Sequence, residues 1–273
     1  MRYFLCLSYD GSDFCGWQIQ PSSPSVQACL EGTLSRLLNR PVAVTGAGRT
    51  DTGVHAMNYV AHFDWEGPLP FEASDFIYKL NAMLPHGVAI LSVSPVADDL
   101  HARFSARRRE YTYFIHRQKD PFVRQYSWLC GYPSLDFDAM NAACRYLLGT
   151  HDFSCFEKTG GDNKTSLCTV FDAQWKPYVP SHLQIMGFHD SIGALQSSLK
   201  INDSAAGSCY WYFRIAADRF LRNMVRATVG SLIEVGRGKH RPEWIAELIA
   251  SGTRSEAGES VPGHALFLNQ ILY

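Results

Sequence analysis

No regular element can run unbroken through Gly46-Ala47-Gly48-Arg49-Thr50-Asp51-Thr52-Gly53, because three glycines fall within eight residues. Glycine weakens helix and strand interiors and takes positive φ at little cost. The run before it, Val42-Ala43-Val44-Thr45, is apolar and β-branched and reads as a strand. The chain therefore turns where the glycines begin, and the turn carries one cation, two hydroxyls and one carboxylate. A carboxylate on a glycine-rich loop at a strand end is well placed for a nucleophile or general base. The same residue types also serve a purely structural turn, with Asp51 capping a helix or pairing with Arg49.

Two chemical readings of the segment fail on spacing. A dinucleotide-binding fingerprint needs a third glycine where Asp51 stands, and no clean helix follows. Asp51-Thr52-Gly53 is the tripeptide of aspartic proteases, which need two such carboxylates sharing a proton. No second Asp-Thr-Gly or Asp-Ser-Gly occurs in the chain.

Strand-like and helix-like pieces alternate along the rest of the sequence. Arg2 to Tyr9 opens as a strand. Ser25 stands as N-cap before a helix reaching Leu38. Strands are expected over Tyr59 to Asp64 and Val88 to Val93, with a helix over Ala73 to Met83 between them. Glu110 to Arg117 alternates as a strand rich in aromatics. Asp138 to Leu148 reads as a helix, Cys209 to Ala216 as a strand and Asn223 to Val235 as a helix. Gly236-Arg237-Gly238 then supplies a C-cap. Pro242 to Ile249 is a further helix, and Ala265 to Tyr273 a last strand. Residues 157–166 and 187–208 are rich in Gly, Ser, Asn and Lys and read as long loops. Strand-helix-strand units in both halves point to an α+β fold of two similar lobes.

At 273 residues, 46% hydrophobic and 19% charged, the chain has ample material for a core. No apolar run is long enough to span a membrane and no basic-then-apolar leader opens it, so a soluble cytoplasmic protein is expected. Its eight cysteines are scattered without a C-x-x-C pair, which argues against zinc and for buried thiols in a reducing compartment.

A net charge of −1 argues against a nucleic-acid binder, but the distribution argues otherwise. Arg103, Arg107, Arg108, Arg109, Arg117, Lys119 and Arg124 crowd one stretch. Arg214, Arg219, Arg222, Arg226, Arg237, Lys239 and Arg241 crowd another. Arginine-rich stretches on a neutral chain look like a local footprint for phosphate.

The whole segment Gly48-Arg49-Thr50-Asp51-x-Gly53-Val54-His55-Ala56 closely resembles the active-site motif of the TruA family of tRNA pseudouridine synthases. Further motifs of that family follow in order. They are Tyr9-Asp10-Gly11-Ser12-x-Phe14-x-Gly16-Trp17-Gln18, Asn81-Ala82-x-Leu84-Pro85, and Phe104-Ser105-Ala106 before Arg109-x-Tyr111-x-Tyr113. In the second half stand Gly149-x-His151-Asp152-Phe153-Ser154-x-Phe156 and Phe220-Leu221-x-x-Met224-Val225-Arg226-x-x-Val229-Gly230-Ser231-Leu232.

The resemblance implies the pseudouridine synthase fold, two lobes of mixed or antiparallel sheet flanked by helices with the active-site cleft between them. Residues 1–104 would form the lobe with the aspartate loop, and 105–273 the lobe with the tyrosine strand and arginine helix. By position, Asp51 matches the catalytic aspartate, Tyr111 the tyrosine that stacks on the target base, and Arg226 the arginine that pairs with the aspartate. Arg49 matches the arginine that fills the space left by a flipped nucleotide, while Arg107, Arg109 and Arg222 are expected substrate contacts. The implied reaction converts uridine to pseudouridine at tRNA positions 38 to 40, needs neither cofactor nor metal, and is carried out by a homodimer on the anticodon stem-loop. A relative modifying other uridines, or a tRNA-binding chaperone without chemistry, are the alternatives. Two positions depart from the pattern: Cys168 stands where an arginine is common, and Ala265-Leu266 where glycine-leucine is expected.

Overall fold

The computed structural model describes residues 1–158, 160, 165–186 and 208–273. The fold is mixed α+β, and its chain contacts divide it into two compact units. The first comprises Met1–Glu110 with Phe267–Tyr273, and the second Tyr111–Leu266.

In the first unit, β1 (Arg2–Tyr9) lies between β3 (His55–Asp64) and β4 (Val88–Val96), antiparallel to both. The other side of β3 takes β2 (Thr45–Gly46) antiparallel, at Thr45↔His62, and β10 (Leu266–Leu272) parallel, at Phe267↔His55. Strict alternation along β1 buries Tyr3, Leu5, Leu7 and Tyr9 on one face, as period two requires. That face continues into Tyr59, Ala61 and Phe63 of β3, all buried. Two helices, α1 (Val26–Leu38) and α2 (Ala73–Met83), supply buried Leu30, Leu34, Phe76 and Leu80. The Phe63 and Phe76 rings stack at 6.4 Å. Each such side chain, fully buried, contributes about 1.5–3 kcal/mol. The Ser25 side chain caps α1 by accepting from the Ala28 N–H, as the N-cap reading expected.

Of the expected strand over Val42–Thr45 only Thr45 pairs, in the two-residue β2. The backbone bonds of Val42 and Val44 go to α1 side chains instead of a neighbouring strand. Val42 N–H donates to Ser35 Oγ and Val44 N–H to Glu31 Oε1, while Gln27 Nε2 donates to the Val44 carbonyl.

The chain enters the second unit within β5 (Arg108–His116). Here the strand order is β5, then β9 (Tyr210–Ala217), β8 (Leu167–Pro177) and β7 (Gly149–Asp152), and the short β6 (Trp128–Leu129) runs parallel to β5. Among the described residues the helices are α3 (Phe137–Cys144), the short α4 (Ser181–Ile185), α5 (Met224–Gly236) and α6 (Trp244–Ser251). Phe137 of α3 stacks on Trp211 of β9 with centroids 3.6 Å apart. Eleven of the thirteen residues of α5 are buried, and the two that are not are Arg226 and Glu234. The glycine cap expected after it forms at Gly238 (φ +73°). Lys239 N–H reaches Glu234 O and Gly238 N–H reaches Val235 O, the paired bonds of a Schellman end.

The helix expected over 138–148 is shorter. Asp136 caps it by accepting from Ala139 N–H, and after Cys144 the chain tightens into a 3-10 turn, Arg145–Leu147. The two expected long loops fall mostly outside the described residues, and their described flanks carry neither helix nor strand. No helix among the described residues is long and apolar enough to cross a membrane. All eight cysteines are free thiols, and five are buried.

Candidate active site

The loop bearing Asp51 is fixed at its base by β2 and by Ala47 N–H donating to Val60 O at 2.9 Å. Beyond that point an aromatic cluster takes over. The Tyr59 hydroxyl, wholly buried, donates to the Gly48 carbonyl and accepts from the Gly48 N–H at 3.3 Å. Its ring stacks on Trp17 at 4.1 Å and meets Tyr9 edge-on at 5.6 Å. The Tyr9 hydroxyl bonds Thr50 Oγ1 at 2.9 Å, and Trp17 N–H donates to Thr50 O at 3.3 Å. Asp51 O accepts from Val54 N–H at 3.2 Å, closing a turn with Gly53 at φ +75°.

The three glycines of the loop thus serve different ends. Gly53 supplies the positive φ of a turn. Gly46 leaves room for the aromatic cluster, since a Cβ there would sit 2.2 Å from the Tyr59 hydroxyl and 2.5 Å from Trp17. Gly48 has open space where a Cβ would be. Asp51 itself is half-buried, between half-buried Thr50 and exposed Thr52, and Arg49 is exposed.

His55, at the start of β3, braces the loop from behind. It is buried, accepts the Gly11 N–H at Nδ1 (3.0 Å), lies 3.1 Å from Asp10 Oδ1 and stacks on Phe267 at 4.5 Å. Asp10 in turn caps the 3-10 turn Gly11–Asp13 by accepting from the Ser12 N–H. The opening motif Tyr9 to Trp17 is therefore scaffolding for the Asp51 loop. Sequence reading singled out that motif but gave Tyr9, Trp17 and Tyr59 no role. The available signal was the density of aromatics on either side of the glycines.

Arg109 also belongs to this scaffold. Its Nη2 donates to Ala47 O at 2.9 Å and to Arg103 O at 2.6 Å, tying the glycine loop to the 103–106 turn. Arg107 is exposed, with its backbone N–H on Leu272 O.

Tyr111, Arg222 and Arg226 lie in the second unit. Tyr111 is 9% exposed and meets Phe220 edge-on at 5.1 Å. Two residues on and facing the same way, Tyr113 donates its hydroxyl to Pro262 O at 3.0 Å. Burial pushes the Tyr113 phenol well above its usual range, opposed by the nearby Arg226 charge. Arg226 Nε donates to Val261 O at 2.7 Å, and Val261 N–H returns to Arg226 O. The segment holding that carbonyl is itself tied down. Asn223, left-handed at φ +65° before α5, donates to Ser260 Oγ, which also accepts from Arg254 Nη2. Arg222 is exposed, its carbonyl accepting from Lys158 N–H.

The second arginine-rich stretch is partly structural. Arg214 pairs with Asp172, Arg237 and Lys239 with Glu234, and Arg241 with Glu247. Cys168 is buried in β8 opposite His151, and burial pushes its thiol up to about 12. Ala265 is buried in the 3-10 turn before β10. Among the described residues, no three His, Cys, Asp or Glu side chains group so as to hold a metal ion.

A family model described as tRNA pseudouridine synthase matches residues 5–105 and 143–273. tRNA pseudouridine synthase A of Parabacteroides distasonis is 42% identical over 276 residues, spanning 100% of this chain and 96% of the relative. The protein of that name from Bacteroides thetaiotaomicron is 44% identical over 272 residues, spanning 100% and 90%. That from an Exiguobacterium species is 35% identical over 272 residues, spanning 100% and 98%. With the nine-residue motif Gly48–Ala56 on a braced loop and likeness over its whole length, the chain belongs to the TruA family of tRNA pseudouridine synthases.

Proposed function

We propose that this protein is an isomerase that converts uridine to pseudouridine at positions 38, 39 and 40 in the anticodon stem-loop of tRNA. One observation carries the reading: the loop Gly48–Ala56 bearing Asp51 is intact in a chain that matches tRNA pseudouridine synthases A over its full length. The reaction breaks the N1–C1′ bond, turns the uracil and joins C5 to C1′. Atoms and electrons balance within one nucleotide, so the step calls for no oxidant or reductant and no cofactor.

Asp51 supplies the carboxylate, as nucleophile or base toward the target nucleotide. Tyr111 offers an aromatic face to the detached uracil, an interaction worth roughly 1–3 kcal/mol per base. Arg226 pairs with the carboxylate. Its geometry suits a fixed charge, because the Nε–H is held on Val261 O in an otherwise buried helix. A base in a stem must be flipped out at a cost of about a few kcal/mol. Arg49 fills the vacated space and Arg107 and Arg222 contact the RNA, while Arg109, expected at the RNA, braces the loop that presents Asp51. In this reading the two units are lobes flanking a cleft, and the protein acts in the cytoplasm as a homodimer that grips one tRNA.

The test is incubation with unmodified tRNA transcripts, mapping pseudouridine by chemical labelling and primer extension, with Asp51→Asn alongside. Signal at positions 38–40 that vanishes in the variant is the expected outcome. Tight tRNA binding without pseudouridine on any transcript refutes the isomerase.

A further inference from the structure

We propose that Phe104 is a stacking platform for an unpaired nucleobase of the RNA substrate, held against the Asp51 loop through Arg109. The inference rests on the isomerase reading and adds to it a binding residue outside the catalytic set.

Phe104 is 76% exposed, yet the backbone on both sides of it is held by hydrogen bonds. Ala102 N–H donates to His62 Nδ1 at 3.1 Å, and the Ala102 carbonyl accepts from the Tyr273 hydroxyl at 2.7 Å. His101 N–H donates to Ser105 Oγ, and Ser105 N–H returns to His101 O. His101 Nδ1 accepts the N–H of Arg103 at 3.0 Å and of Phe104 at 3.3 Å. Arg107 N–H closes the turn on Leu272 O. The turn is thus fixed on both sides of a ring that the core does not use.

A lone exposed aromatic needs no explanation by itself. The setting of this one does point to a ligand class. The ring rests against His101, with centroids 4.4 Å apart, and the Arg103 guanidinium lies 5.6 Å from its centroid. Arg103 and Arg107 are both exposed. A rigid aromatic face with one guanidinium beside it, and a second exposed arginine three residues along the same turn, offers stacking to a base and charge to the adjoining phosphates, the combination that single-stranded nucleic acid takes. An apolar protein partner would leave those two guanidinium groups to be desolvated without counter-charge. The same turn is braced to the catalytic loop, since Arg109 Nη2 bridges the Arg103 and Ala47 carbonyls. A base captured on Phe104 is therefore held in register with Asp51.

The test uses the full-length protein and tRNA transcripts, with Phe104→Leu and Phe104→Trp. Leucine keeps an apolar side chain but loses the π-face, and tryptophan keeps it. Phe104→Leu is expected to weaken tRNA binding and raise KM by about five-fold or more. The thermal midpoint and kcat at saturating tRNA stay within about two-fold or a degree of wild type, and tryptophan restores binding. A series of transcripts with single abasic nucleotides through the anticodon loop then locates the base. At one position the abasic penalty seen with wild type disappears in Phe104→Leu. Wild-type affinity in Phe104→Leu, or equal abasic penalties in both proteins at every position, overturns the proposal. A wild-type protein that binds tRNA but makes no pseudouridine refutes the isomerase reading instead, and the binding cycle still reports on Phe104.

Discussion

Replacing Gly230 by alanine tests the packing that fixes Arg226, because two known effects there have opposite signs. Gly230 lies in the middle of α5, where alanine is ordinarily favoured over glycine by about 1 kcal/mol. A Cβ on Gly230, however, would stand 1.8 Å from Glu259 O and 2.9 Å from Glu259 C. Real Cβ contacts essentially never fall below 3.0 Å, so the 258–261 backbone must retreat by more than an ångström. That segment cannot drift away cheaply. Gly258 N–H donates to Ser231 Oγ at 2.9 Å, Arg254 Nη1 donates to Gly258 O at 3.1 Å, and Arg226 Nε to Val261 O at 2.7 Å. Overpacking costs about 1–3 kcal/mol, and each strained hydrogen bond about 1 kcal/mol more.

The net expectation for Gly230→Ala is a loss of about 2–3 kcal/mol, or roughly 5–10 °C in Tm at about 2–4 °C per kcal/mol for chains near this size. The matched control is Gly32→Ala in the interior of α1, where a Cβ meets nothing within 4 Å. There helix propensity acts alone, and a gain of about 0.5–1 kcal/mol is expected. Urea unfolding followed by circular dichroism reads both. Gly230→Ala as stable as wild type, or more so, would refute the close approach of α5 to the 258–261 segment. The same displacement moves the Val261 carbonyl that orients Arg226, so pseudouridine formation by folded Gly230→Ala should fall as well.

Further outcomes follow from other contacts. His62 is buried, accepts the Ala102 N–H, and is held down to about 4 by burial first, then by the Arg2 and His101 charges. Since the unfolded chain binds this proton near pH 6.5 and the folded one only near 4, stability falls as pH drops through that window and levels off below it. Between pH 7 and pH 5 wild type should lose about 2 kcal/mol more than His62→Asn, read by urea midpoints; equal losses would remove His62 from the account. Tyr59→Phe strands the Gly48 carbonyl and N–H beneath the Asp51 loop, and should cost about 1–3 kcal/mol and lower kcat more than it raises KM. Burial pushes the Cys130 thiol up to about 11 and Cys155 and Cys168 to about 12. These three should stay silent to Ellman's reagent at pH 8 until urea unfolds the chain, whereas half-buried Cys15 reacts in the native state.

What the sequence made legible was local in origin. The periodicity of Arg2–Tyr9 and of Ala73–Met83 coincides with β1 and α2 to the residue, because each pattern reports one face on one core. The cap after α5 was readable for the same reason, since a left-handed glycine acts within a few residues. Where the deciding partner lay far off, the reading failed. Val42 and Val44 are β-branched and buried, but Ser35, Glu31 and Gln27 take their backbone groups, so no ladder forms. The eleven residues of β8 hid behind a bulge between Val170 and Asp172 that breaks the alternation by one step.

The arginines show the limit most sharply. Counted along the chain, Arg103, Arg107 and Arg109 are equivalent cations. In the structure Arg109 points its guanidinium at the carbonyls of Ala47 and Arg103, becoming a brace that stiffens the glycine loop. Arg103 stands exposed beside the Phe104 ring, and Arg107 is exposed three residues further on. Charge spacing therefore indicates how much cation a stretch carries, and the fold decides which of it meets phosphate. An Arg109→Gln change should accordingly lower stability and leave the salt dependence of tRNA binding nearly unchanged. Arg107→Gln should do the reverse, flattening the salt slope by about one counterion at unchanged Tm. A slope flattened by the Arg109 change and left alone by Arg107→Gln would mean that the brace and the contact had been assigned the wrong way round.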